Sequence, residues 1–111
     1  MIEIVAGDFG TPKLITAPGV DLSLCEAKIK VWKGSTILID YKACGTVTFD
    51  SDKNESSCYF TPADGDFPLS AAIDDEVTVY EVMVKFFKTG FQEHCLKFEW
   101  TVHPAPPPSP P

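Results

Sequence analysis

The chain contains no arginine: its nine basic residues are all lysines, set against sixteen acidic residues for a formal net charge of −7. Nucleic-acid binding depends on a basic face that displaces counterions from phosphate. The planar fork that reads guanine or phosphate is missing as well, so no nucleic-acid partner is expected. The acidity also disfavours anionic lipid surfaces. No apolar run approaches the ~20 residues of a spanning helix, and no membrane partner is expected. The opening MIEIVAGDFG has neither the basic start nor the apolar stretch of a secretory signal. Taken as a native start, it implies synthesis in a reducing cytoplasm. Cys25, Cys44, Cys58 and Cys95 are then expected as free thiols.

Local reactive motifs are equally scarce. There is no Cys-x-x-Cys spacing for zinc and no Gly-x-Ser-x-Gly turn for a nucleophilic serine. His94 and Cys95 are adjacent, and successive strand residues point to opposite faces, so they do not form a dyad or share a metal. The pairs Asp64/Asp66 and Asp74/Asp75 fall in a loop and read as solvated charges. Asp50, Asp52, Asn54 and Glu55 crowd oxygen ligands into one segment, as calcium prefers. An EF-hand loop, however, would place glycine where Glu55 stands and glutamate where Thr61 stands, so a solvated turn is expected. The sequon Asn54-Glu55-Ser56 matters only in a secreted protein. Cys44 and Cys58 fall on what read as neighbouring strands, close enough in principle for a disulfide; the expected compartment argues against one. No catalytic residue, metal ligand or cofactor is expected.

What is present is apolar and periodic. Hydrophobic residues make up 44% of the 111, including eight Phe, three Tyr and two Trp, enough for one core. Apolar residues alternate with polar ones at period two, broken by turn residues. Cys25, Ala27, Ile29 and Val31 share one face of a strand; Glu26, Lys28, Lys30 and Trp32 share the other. Tyr80, Val82, Val84 and Phe86 line one face of the longest strand. Leu96, Phe98, Trp100 and Val102 line the last. Residues 50–57 read as a polar loop and 62–75 as a long connection with one helical turn near Leu69, Ala71 and Ala72. The pattern predicts an all-β domain over residues 1–103, an immunoglobulin-like antiparallel β-sandwich of seven to eight strands, with a barrel as the competing solution. Residues 104–111 are proline-rich and predict an extended tail. Trp32, Phe87 and Phe91 fall opposite their strands' core stripes and are the candidate partner-binding residues.

Several short motifs carry a resemblance. Val5-Ala6-Gly7-Asp8-Phe9-Gly10 precedes a strand. Val20-Asp21-Leu22-Ser23 leads into Ala27-Lys28-Ile29-Lys30-Val31. A Lys-Gly hairpin and a strand ending Ile39-Asp40 follow, and Phe98-Glu99-Trp100-Thr101-Val102 closes the domain. This order resembles the immunoglobulin-like N-terminal domain of phage baseplate upper proteins and related tail proteins, over most of residues 5–103. The sequence departs from that pattern at Leu24-Cys25, where the family has Gly-Ala, at Asp52-Lys53-Asn54-Glu55, in place of Asn-Gly, and at Lys88-Thr89-Gly90, in place of Asp-Gly. The resemblance implies a non-enzymatic virion component, assembled in the host cytoplasm. Its partners would be other phage structural proteins, with homo-oligomers possible. The alternative from a different class is a carbohydrate-binding sandwich. It would use Trp32, Tyr41 and Tyr59 as a platform and the loop holding Asp50 and Glu55 as a calcium site.

Overall fold

Each alternating segment becomes a strand in the structure, a computed structural model that describes residues 3–90 and 93–105. Among the described residues there are eight: β1 (Glu3–Val5), β2 (Lys13–Pro18), β3 (Glu26–Lys33), β4 (Thr36–Ala43), β5 (Thr48–Asp50), β6 (Glu55–Phe60), β7 (Thr78–Phe87) and β8 (His94–His103). They form a five-stranded sheet, ordered β1-β8-β7-β3-β4, and a three-stranded sheet, ordered β2-β6-β5. The two layers pack as a sandwich. One pairing departs from the antiparallel expectation: β1 runs parallel to β8, with Ile4 opposite Val102. Both strands turn a buried β-branched side chain inward there, and the first and last described strands meet.

The segment 50–57 is not a loop throughout. The Asp50 carboxylate accepts the Asp52 and Lys53 backbone N–H groups at 3.0 and 3.3 Å. That bond pattern closes a tight turn, so pairing resumes at once with Glu55 opposite Asp50. At the edge of the large sheet, β4 carries two register shifts against β3. Tyr41 sits in the left-handed region there, at φ 52°. Bulges of this kind twist an edge strand and re-aim its side chains.

The core lies between the sheets. From the large sheet come Ile29, Val31, Tyr80, Val82, Val84, Phe86, Trp100 and Val102; Ile15, Ala17, Cys58 and Phe60 come from the small one. Trp100 is the centre of an aromatic group, with ring centroids at 6.5 Å to Phe60, 6.2 Å to Phe67 and 5.9 Å to Phe98. The connection 62–77 is held to the core by polar contacts. It contains 3-10 turns at Leu69–Ala71 and Ile73–Asp75. The Tyr80 hydroxyl donates to the Ala71 carbonyl at 2.6 Å, and its burial pushes its pKa up. Asp66 corrects the expectation of solvated loop carboxylates. It is buried, pairs with Lys42 and accepts the Ala63 N–H at 2.9 Å. A buried carboxylate persists only when paired in this way, and Lys42 thereby ties the loop to β4. Asp74 and Asp75 remain exposed.

Candidate functional site

The outward residues of β3, β7 and β8 make the most distinctive surface. Register places them in rows. Lys28 stands opposite Lys85, Lys30 opposite Met83, and Trp32 opposite Glu81. Beyond β7, Met83 faces Lys97 and Glu81 faces Glu99. Two like-charge pairs are therefore set directly across from one another, Lys28 with Lys85 and Glu81 with Glu99. Such pairs destabilise a sheet.

Aromatic rings soften the lysine row. The Lys28 ammonium lies 5.7 Å from the Phe87 ring centroid. Lys30 lies 5.3 Å from Trp32 and 5.5 Å from Tyr41, and Lys85 lies 5.3 Å from Tyr41. Each is within cation–π range and contributes about 0.5–1 kcal/mol at an exposed site. Lys85 also reaches Glu93 at 3.5 Å. The bulge at Tyr41 brings that ring within reach of both Lys30 and Lys85. Among the described residues, neither Glu81 nor Glu99 has a ring contact or ion pair, and the basic side chain beside them is Lys97. Trp32, Glu81, Lys97 and Glu99 line a shallow depression of about 270 Å³.

A second concavity adjoins this face at Lys28. Ser23, Leu24, Cys25, Lys28, Cys44 and Val47 line a cleft of about 430 Å³. Its lip is a turn in which the Asp21 carboxylate accepts the Ser23 hydroxyl at 2.6 Å and the Ser23 N–H at 3.0 Å. Those bonds, the hydroxyl first, hold the Asp21 pKa below the usual carboxylate range. Their stabilisation is thus present above the ordinary carboxylate pKa and lost as pH falls through the lowered value. The turn forces Leu24 to φ 72° with 87% of its surface exposed. Left-handed backbone costs a non-glycine residue about 1–2 kcal/mol. Leu24→Gly is therefore expected to stabilise the chain by about 0.5–1 kcal/mol in urea denaturation, after the extra unfolded-state entropy of glycine is subtracted. A destabilised variant would show that the leucine side chain is held by contacts that outweigh the strain.

Of the candidate partner-binding residues, Trp32 and Phe87 lie half-buried on the outer face, under Lys30 and Lys28 respectively. Phe91 lies outside the described residues. The carbohydrate platform is not assembled. Trp32 and Tyr41 share the large sheet, but Tyr59, 54% exposed, sits on β6 of the small sheet, as does the turn after Asp50. The Asp50 carboxylate is engaged in closing that turn. Ser56 of the sequon is fully buried and hydrogen-bonded. Among the described residues, no three His, Cys, Asp or Glu side chains gather closely enough to hold a metal ion. His94 and His103 stand at opposite ends of β8. The first packs on Phe86 at 6.3 Å, and the second reaches Glu3 at 3.4 Å. No helix is long and apolar enough to cross a membrane among the described residues.

The charged rows were not singled out from the sequence. The alternation of Glu26, Lys28 and Lys30 was legible, but which charge stands opposite which depends on register. Comparison with family models, with curated proteins and with solved structures finds no match for this chain.

Proposed function

We propose that the chain is a non-catalytic interaction domain that docks another protein on the outer face of its five-stranded sheet. In keeping with the resemblance, it serves as a component or adaptor of a phage tail or baseplate. The observation that carries this reading is the pairing of like charges, Lys28 with Lys85 and, beside Trp32, Glu81 with Glu99. An isolated sheet gains nothing from these pairs. A partner that lays acidic groups on the lysine row and a basic side chain in the Trp32–Glu81–Glu99 depression relieves both. Charge complementarity of this kind sets register and partner choice, and tryptophan is the residue type most enriched at binding hot spots.

The test uses purified protein and the products of the genes flanking its own, with binding measured by calorimetry. One of them is expected to bind, and Trp32→Ala is expected to weaken that binding roughly 30-fold. Tyr59→Ala, on the other sheet, is expected to leave it unchanged. Equal losses from both variants, or no binding by any flanking product, would remove the basis for the reading. A glycan retained through Trp32 and Tyr41 would move the function to carbohydrate recognition.

A further inference from the structure

Cys44 and Cys58 stand where the chain crosses from one sheet to the other. The Cys44 N–H still donates to the Ala27 carbonyl of β3 at 2.9 Å, whereas the next N–H, of Gly45, donates to the Tyr59 carbonyl of β6 at 2.7 Å. Glycine permits that approach, since a Cβ at residue 45 would lie 3.3 Å from the Tyr59 oxygen. Cys58 precedes Tyr59 and turns inward, 1% exposed. Cys44 is half-buried and lines the 430 Å³ cleft. The Gly45–Tyr59 contact sets the two cysteines on neighbouring backbones, and the interaction of their thiols pushes the Cys44 pKa up and the Cys58 pKa down. Of the other cysteines, Cys25 is buried along the same cleft and Cys95 is exposed on β8.

We propose that Cys44 and Cys58 are an oxidation site: they form a reversible disulfide that staples the sheet crossing to β6, with the cleft admitting a small-molecule disulfide as oxidant. The accessible sulfur reacts first. The pair loses one proton to water, and transfer of the remaining proton between the two sulfurs places the negative charge on Cys44. That thiolate attacks one sulfur of the oxidant, forming a mixed disulfide and expelling one small thiolate. The Cys58 thiol then gives up its proton and its sulfur attacks Cys44, displacing the second small thiolate. The protein loses two protons and two electrons; the oxidant leaves as two thiols. The closed loop of roughly 15 residues contains β5 and its turn, a length for which cross-linking restricts the unfolded chain appreciably.

The experiment treats the full chain carrying Cys95→Ser, which suppresses intermolecular pairing, with oxidised glutathione. Intact mass is expected to fall by two hydrogens with no glutathione retained, and peptide mapping to join Cys44 to Cys58. The melting temperature is expected to rise by roughly 10 °C and to return on addition of dithiothreitol. Cys44→Ser, at the half-exposed position, removes the rise and leaves Cys58 reduced; Cys58→Ala leaves a stable glutathione adduct on Cys44. A persistent adduct in the protein that retains both thiols, a bridge that includes Cys25, or a bridge between the two that fails to raise the melting temperature overturns the proposal.

Discussion

Trp100→Ala is expected to lower the unfolding free energy by about 4 kcal/mol, the cost of emptying a large aromatic site in a core that can collapse only in part. The indole is 1% exposed and touches rings from β6, from the 62–77 connection and from its own strand. It therefore joins both sheets and the longest connection. Removing it unties three elements at once. Native domains are stable by about 5–15 kcal/mol, so the variant retains little margin. Urea denaturation measures the loss. Trp32, the other tryptophan, remains as a fluorescent reporter on the outer face. Its own replacement by alanine is expected to cost less than about 1 kcal/mol, because a half-buried surface residue leaves no cavity. A reversed order of the two losses would mean that the core is not organised around Trp100.

Ser56→Ala is expected to cost about 2–3 kcal/mol, although it removes a single oxygen. The Ser56 hydroxyl accepts the Leu22 N–H at 2.7 Å and donates to the Val20 carbonyl at 2.8 Å. Ser56 and Leu22 are both fully buried. The substitution leaves the buried backbone N–H and the half-buried carbonyl without these partners, and the cost of an unsatisfied group exceeds the net value of the bond it loses. The segment that these bonds hold leads directly to the cleft lip at Leu24, so its amide exchange should quicken along with the drop in stability. Hydrogen exchange at residues 20–24 reads the local effect, and a thermal melt reads the global one. A melt within a degree of the unmodified protein would show that water replaces the hydroxyl.

The strands of this protein were readable because their alternation is clean. Residues 25–32 and 80–86 place every second side chain in the core, and the structure buries Cys25, Ala27, Ile29, Val31, Tyr80, Val82, Val84 and Phe86. The turn at Asp50 was legible as a turn but not as a tight one, because its closure depends on one carboxylate accepting two particular amides. The burial of Asp66 is hidden from the sequence for a related reason. A carboxylate in a polar segment looks solvated until the lysine that buries it, Lys42, is known to lie across from it. The outer face was legible only in part: Trp32 and Phe87 could be assigned to it, whereas the row of opposed lysines and the row of opposed glutamates could not.

By itself, the sequence determined the class. Period-two alternation fixes which side chain of each strand meets the core, while the choice of two stacked sheets over a closed barrel came from the tertiary structure. Only the tertiary structure decided strand order, the parallel pairing of β1 with β8 and the facing of like charges on the outer surface. Each of these depends on register between segments far apart in the chain. Register is set by the packing of the whole core, and a local pattern carries no record of it.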